Sequence, residues 1–178
     1  MALTLVKENG TGLPAANAYA DVADCDAYHE GHLYASAWTA ASAGNKAAAL
    51  VMATRLIDAE SQFAGVRANA TQSLQWPRED CPDPDANADV VGQRFVLSNV
   101  VPKGVMDATC EMARELLIAD RTASPPGEGL KYQTSGTTQT GYDKKDTRPV
   151  ISHVAQAMLA KYGQMVRSGS GEVRLVRS

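Results

Sequence analysis

The sequence predicts a mainly α-helical protein, a bundle of about four helices with a short N-terminal strand, a long projecting loop or hairpin and an extended C-terminal tail. Two observations predict this class. Alanine is abundant and only 6% of the 178 residues are aromatic, which favours a core of small side chains over an aromatic β-sandwich. In addition, several segments carry apolar residues at steps of three and four, the period of one helix face.

The N-terminal third begins with "ALTLV", which predicts a short strand over residues 2–6, followed by a Gly/Pro turn region. A first helix is predicted within residues 17–34. Asp21 suits its N-cap, and Asp24 adds a negative charge to the first turn, where the helix dipole favours one. One face of this helix carries Val22, Cys25, Tyr28 and either His32 or Leu33.

Three more helices are predicted further along the chain. The second covers residues 45–63, which are rich in alanine and straight-chain side chains, and Gly65 ends it. A Pro/Asp-rich loop follows, and "QRFVLSNVV" is typical of a short strand. The third helix starts near Pro102, since proline fits a first-turn position. The fourth follows Pro149, with apolar residues spaced as far as Met165.

Two excursions leave this helical domain, which we place at residues 1–166. Residues 122–147 are rich in Gly, Thr and Ser and predict a mobile arm or projecting hairpin. Residues 167–178 predict a flexible tail, in which the Gly/Ser hinge 168–171 precedes an apolar and basic stretch: Val173, Arg174, Leu175, Val176 and Arg177. Because a helical bundle offers little sheet to join, we expect this stretch to bind another chain as an added strand; the alternative is a disordered terminus.

Charge and cysteine content set further expectations. The net charge of −3 carries no nucleic-acid signature, but residues 141–178 sum to +4 and residues 1–140 to −7. A basic end on an acidic body favours head-to-tail contact between copies, or an acidic partner. Cys25, Cys81 and Cys110 predict reduced thiols in a cytoplasmic protein. The first residues lack the features of a secretion signal, and no apolar run is long enough to span a bilayer.

Few residue patterns indicate chemistry. No phosphate-binding loop, nucleophile elbow or HExxH occurs, so we expect neither an enzyme nor a cofactor. Cys25, His29 and His32 share a helix face at a spacing that zinc sites use, but a fourth ligand is missing, which favours packing or surface roles. Trp76-Pro77-Arg78 allows two interpretations: Trp76 caps the core while Arg78 makes a surface pair, or the element joins a subunit interface.

The motifs, taken in order, resemble a family of tailed-bacteriophage proteins. "ALTLVKENGTGLPAANAYADVADCDAYH" resembles the start of head-tail connector (adaptor, or head-completion) proteins. "LQWPRED", "VVPKGVMDATCEMARELL", "RPVISHVAQAMLAKY" and the closing "VRLVR" are similar to that family's later elements. The poorest match is "TSGTTQTGYDKKDT". Related chains are also labelled DnaT-like single-stranded-DNA binding proteins, although this sequence lacks aromatic residues interleaved with basic ones.

The resemblance implies a structural virion protein. It would form a ring of about twelve copies beneath the portal protein, extend the DNA channel, and join the portal to a downstream tail or nozzle protein. The genome would pass without sequence-specific binding, and no membrane, metal or cofactor is implied. The tail Val173–Arg177 would dock on the portal, and the arm would contact a neighbour or the tail component through Tyr132, Thr137, Thr138 and Tyr142. This places the protein at the head-tail junction of the virion, and in the host cytoplasm during assembly.

Two other function classes remain open at this stage. One is a nucleic-acid-binding module that uses Lys144, Lys145, Arg148, Lys161 and Arg167, for which strong salt dependence of DNA binding is the diagnostic property. The other is a small metal-dependent enzyme built on the Cys25, His29 and His32 set, which stoichiometric zinc in the purified protein would favour.

Overall fold

A computed structural model describes residues 3–86, 94–123, 132–141 and 148–166. Its helices are α1 (Val22–Glu30), α2 (Ser36–Thr39), α3 (Ala43–Glu60), α4 (Lys103–Ile118) and α5 (His153–Leu159). Its strands are β1 (Ser61–Phe63), β2 (Val66–Arg67), β3 (Arg78–Glu79), β4 (Tyr132–Ser135), β5 (Thr138–Gly141) and β6 (Gly163–Met165). The strands form three antiparallel pairs: β1 with β6, β2 with β3, and β4 with β5.

The predicted fold class, a bundle of about four helices, is wrong. The described chain contains five helices together with small antiparallel sheets, and only α3 and α4 are long. A four-helix bundle needs four helices of similar length that share one core, whereas α2 has 4 residues and α5 has 7. The short elements are instead held by strand pairing and by buried polar side chains.

Helices α1 and α4 begin where local signals predicted. Asp21 caps α1 by accepting a hydrogen bond from the Asp24 N–H, and Asp24 reciprocates toward the Asp21 N–H, which completes a capping box. Ser42 caps α3 through the N–H of Asn45. Pro102 precedes α4, as predicted. The predictions for Asp21 and Pro102 are confirmed because a helix start depends on residues within one turn of it, whereas the sequence did not identify Ser42 as a cap.

The core lies between α3 and α4, with α5 on the other side of α4. Leu50 and Ile57 of α3, and Val105 and Met112 of α4, are fully enclosed. Burying each such side chain stabilises the fold by roughly 1.5–3 kcal/mol. The small helix α2, which the sequence did not predict, contributes Trp38, whose indole N–H donates to the Asp26 carboxylate at 2.7 Å.

Two predicted helices are too long, because their last residues form a sheet. The helix predicted over 45–63 ends at Glu60, and the fourth helix ends at Leu159 rather than continuing to Met165. The residues beyond both ends pair as β1 and β6. Gly163 makes this possible, since a Cβ there would lie 2.4 Å from the carbonyl oxygen of Gln62.

The predicted N-terminal strand is absent from residues 3–6; the next residue, Lys7, forms an isolated bridge with Ala18, and the Val6 carbonyl accepts the Asn17 N–H at 2.9 Å. The following turn is organised by Glu8, which is buried. Its carboxylate accepts hydrogen bonds from three backbone N–H groups, those of Gly10, Gly12 and Leu13, at 2.8–2.9 Å. A carboxylate that accepts three N–H donors fixes a loop without any sheet.

The expectation that this fold offers no sheet near the tail is also wrong. The β1–β6 pair stands immediately before the predicted tail, and the Val166 N–H donates to the Glu60 carbonyl at 2.7 Å. Residues 167–178, including the hinge and Val173–Arg177, lie outside the described residues. The proposed boundary between a domain at 1–166 and a tail therefore stays a prediction.

Candidate interaction surfaces

The Trp76-Pro77-Arg78 element belongs to the interior of the chain. Trp76 is fully buried and packs edge-on against Phe63 at 5.5 Å and Tyr162 at 5.8 Å between ring centroids. The Trp76–Pro77 peptide bond is cis. The prediction that Trp76 caps the core is therefore confirmed.

Arg78 does not make the predicted surface pair. Its guanidinium is buried and donates to the carbonyl oxygens of three consecutive residues, Phe63, Ala64 and Gly65, at 2.7–3.2 Å. It also donates to the backbone and side-chain oxygens of Gln75 at 3.1 and 3.0 Å. Burial lowers the pKa of Arg78, yet a guanidinium stays charged in proteins. The alternative role of this element in a subunit interface stays a prediction.

The proposed metal-ligand set is not available as three ligands. Cys25 forms a disulfide with Cys110, which joins α1 to α4, so the prediction of reduced thiols is wrong for this pair. His29 is buried with its Nε2 3.3 Å from the Cys110 carbonyl oxygen, and burial lowers its pKa. The Nε2 of His32 lies 3.7 Å from the Glu111 carboxylate. Within the described ranges no group of three His, Cys, Asp or Glu residues is arranged to hold a metal ion.

A chain of ion pairs that the sequence did not reveal runs along one side of α4. Arg114 donates to Glu111 at 2.6 Å and to Glu115 at 2.7 Å, and Glu111 and Arg114 are both buried. The hydrogen bond to Glu111 raises the pKa of Arg114. Arg121 continues the chain, since it donates to Glu115 at 3.0 Å and to the Val150 carbonyl at 2.9 Å. The network therefore fixes the segment that leads into α5 against the end of α4.

Several large apolar side chains are exposed on the described chain, and at two places they lie close together in the sequence. The first, the apolar turn between α1 and α2, consists of Leu33 and Tyr34, whose side chains are 92% and 76% exposed. The second, the apolar segment at residues 94–101, exposes Phe95, Leu97 and Val100 by 47%, 53% and 36%. Sequence reasoning assigned Leu33 to a helix face and residues 93–101 to a strand; the segment makes a single bridge, between Pro82 and Phe95. Large side chains exposed together mark interaction sites more often than isolated ones do.

Most described cations already have an anionic partner. Six Lys or Arg side chains form ion pairs with carboxylates: Lys7, Lys46, Lys103, Arg114, Arg121 and Lys161. Among the proposed nucleic-acid contacts, Lys161 pairs with Asp85 at 2.7 Å, and Arg148 donates to the Asp120 carbonyl at 3.4 Å. The other three, Lys144, Lys145 and Arg167, lie outside the described residues. The structure therefore describes only two of the five cations, and the proposed surface stays a prediction.

The predicted arm contains a short hairpin. β4 and β5 pair from Tyr132↔Gly141 to Ser135↔Thr138, and Gly136 occupies the turn with φ of +62°. Thr137 is exposed in this turn. Tyr142 lies outside the described residues, so the proposed contacts of the arm with a neighbour or a tail component stay predictions.

Comparison with known protein families gives one match. The sequence profile of the family described as "Putative DnaT-like ssDNA binding protein" matches residues 3–178. The chain belongs to this family. No curated protein and no solved structure shows significant similarity. The sequence resembled proteins that carry two labels, DnaT-like and head-tail connector. The family match supports the DnaT-like label and does not support the head-tail connector label.

The sequence did not predict three features of this DnaT-like chain: the Arg78 contacts, the Cys25–Cys110 disulfide and the ion pairs of α4. A signal existed only for the last, because Glu111, Arg114 and Glu115 stand three or four positions apart or adjacent on a predicted helix. No helix in the described parts of the chain is both long and apolar enough to cross a bilayer.

Proposed function

We propose that this protein is a structural adaptor of the head-tail junction of a tailed bacteriophage. Copies would assemble as a ring under the portal protein and connect it to a downstream tail or nozzle protein, with DNA passing through the channel. The observation that supports this proposal best is the surface: exposed apolar side chains lie close together in the sequence at residues 33–34 and 95–100, while six described cations are paired with carboxylates. Such a surface suits protein contact better than phosphate contact.

In this proposal the C-terminal residues dock on the portal. The β1–β6 pair holds the chain just before the tail in place, and Val173–Arg177 supply three apolar and two basic side chains for strand addition. Deleting residues 168–178 is expected to leave a folded protein that no longer binds isolated portal rings. Binding is measured by co-sedimentation, and folding by circular dichroism.

A second variant keeps the length of the tail and removes its apolar side chains, with serine at Val173, Leu175 and Val176. The proposal expects this variant to lose portal binding as the deletion does, because strand addition draws specificity from the side-chain pockets. Unchanged affinity of the deletion variant for the portal would show that the tail is not the docking element.

The same proposal expects the isolated 18.9 kDa chain to be largely monomeric, with the ring closing on the portal as template. Multi-angle light scattering across a range of concentrations measures this directly. A ring that is stable in solution without the portal would contradict template-dependent closure.

A second candidate function is single-stranded DNA binding, which the description of the matching family favours. It would use Lys144, Lys145, Arg148, Lys161 and Arg167. Affinity for an oligonucleotide should then fall steeply with salt, with a log–log slope of about −0.7 for each phosphate contacted. Replacing Lys144 and Lys145 with serine should flatten that slope, while the same replacement of Lys103, which pairs with Asp107, should not. Weak binding with no response to these variants would favour the adaptor.

A further inference from the structure

The apolar turn is held rigidly although its side chains face solvent. His32 accepts the Tyr34 N–H on Nδ1 at 3.1 Å and donates its own N–H to the His29 carbonyl at 3.1 Å. Its Nε2 faces the buried carboxylate of Glu111. Because the backbone of the turn is already ordered, burying Leu33 and Tyr34 against a partner costs little conformational entropy.

The apolar segment is fixed in the same way. The Val96 N–H donates to the Cys81 carbonyl at 2.9 Å, and the Val96 side chain packs on the core. This alternation leaves Phe95 and Leu97 directed outward on either side of Val96, as in a strand. The Val100 N–H donates to the Leu97 carbonyl at 3.3 Å and closes the end of the segment.

The exposed charged residues that stand next to the two features in the sequence are opposite in sign; the half-buried Asp83, whose N–H donates to the Arg94 carbonyl, also lies beside the segment. Glu30, the last residue of α1, is exposed three positions before the apolar turn, and Arg94 is exposed immediately before Phe95. Two apolar turns facing each other would bring two Glu30 carboxylates together, and two apolar segments would bring two Arg94 side chains together. A contact of the turn with the segment instead places Glu30 near Arg94 and so avoids both repulsions.

We propose that the apolar turn of one copy packs on the apolar segment of a second copy, so that one chain carries both halves of a head-to-tail interface. Such a heterologous contact repeats from copy to copy and builds a ring when the rotation closes. The inference rests on the proposed function only for the ring; the contact between copies is a property of the isolated chain. Tyr34 and Phe95, as aromatic side chains, are the expected anchors.

The contact is weak between two free copies. Five side chains bury far less than the roughly 1,200 Å² typical of stable complexes. The interface is therefore detected by trapping, for which Leu33→Cys and Leu97→Cys are made separately, mixed at high concentration and treated with a short bis-maleimide. Wild type serves as the blank, because Cys81 is buried and Cys25 and Cys110 form a disulfide.

The mixture of Leu33→Cys with Leu97→Cys is expected to give a cross-linked dimer several-fold faster than either variant alone. The matched control is Ala48→Cys, an exposed position on α3, mixed with Leu97→Cys. Equal rates in these two mixtures would overturn the proposal. Faster cross-linking of Leu33→Cys with itself would also overturn it, because that result requires a symmetric contact.

A charge exchange tests the pairing of Glu30 with Arg94. Introducing Glu30→Arg into the Leu33→Cys chain, or Arg94→Glu into the Leu97→Cys chain, should slow cross-linking about two- to fivefold. Introducing both should restore it. If the two substitutions together slowed cross-linking by the product of their separate effects, Glu30 and Arg94 would not be neighbours and this geometry would be refuted. No portal is present in these experiments, so portal binding and the contact between copies can fail independently.

Discussion

Replacing Arg78 with lysine tests whether the Trp76-Pro77-Arg78 element is an internal clamp. The guanidinium makes five hydrogen bonds through three nitrogen atoms, to the carbonyl groups of Phe63, Ala64, Gly65 and Gln75 and to the Gln75 side chain. Lysine keeps the positive charge but has one nitrogen with at most about three donors, and it cannot span acceptors on both sides of the loop.

The loss is therefore at least two charge-assisted hydrogen bonds in a buried site. At about 1.5–3 kcal/mol each, the free energy of unfolding should fall by about 3–6 kcal/mol. For a chain of this length a loss of 1 kcal/mol lowers Tm by about 2–4 °C, which predicts a decrease of about 6–24 °C for Arg78→Lys. Urea unfolding and thermal unfolding followed by circular dichroism provide both quantities.

Arg67→Lys is the matched control. Arg67 is the β-pairing partner of Arg78, it is exposed, and its guanidinium makes one hydrogen bond, to the Gln72 carbonyl at 3.2 Å. This variant should change the unfolding free energy by less than about 1 kcal/mol. If Arg78→Lys were as mild as Arg67→Lys, the clamp would not hold the loop and the reasoning would be refuted.

Three further predictions concern stability. Burial raises the pKa of Asp58 to about 6 from 3.8, so the folded state binds this proton more tightly, and the resulting stability, about 3 kcal/mol, is present below pH 4 and lost as pH rises through about 6. Relative to Asp58→Asn, the native protein should therefore lose that amount between pH 4 and pH 7.5 in urea unfolding; a pH-independent difference would contradict it. Removing the disulfide with paired serines at Cys25 and Cys110, which are 85 residues apart, should cost about 4 kcal/mol, and an unchanged denaturation midpoint would count against the cross-link. Gly65→Ala should lower Tm strongly, because φ is +72° and a Cβ would lie 2.1 Å from a carbonyl oxygen of β3, whereas Gly44→Ala, with open space around it, should be neutral; similar Tm values would refute the close approach.

The helix starts could be predicted from the sequence because their causes are local. The side chains of Asp21 and Asp24 accept each other's backbone N–H and so fix the first turn of α1. Pro102 favours a helix start at α4 through its own backbone geometry. The helix ends were predicted less well. The apolar residues Phe63 and Met165 continue the helical spacing, but residues 61–63 and 163–165 pair as strands across the molecule.

The candidate surfaces depended still more on three-dimensional packing. Leu33 fitted an apolar helix face, yet α1 ends at Glu30 and the side chain is exposed. Arg78 resembled a surface charge because burial of a guanidinium requires several carbonyl acceptors, which come from distant residues. The sequence identified Trp76-Pro77-Arg78 as unusual but could not distinguish an internal clamp from an interface.

The sequence alone determined the approximate positions of the long helices, the cap Asp21 and the start of α4 after Pro102, since these follow from contacts within one or two turns. The tertiary structure decided that Cys25 meets Cys110, that β6 pairs with β1, and which apolar side chains stay exposed. Each of these joins or separates residues far apart in the chain, and the energy of such contacts depends on which surfaces the whole fold buries.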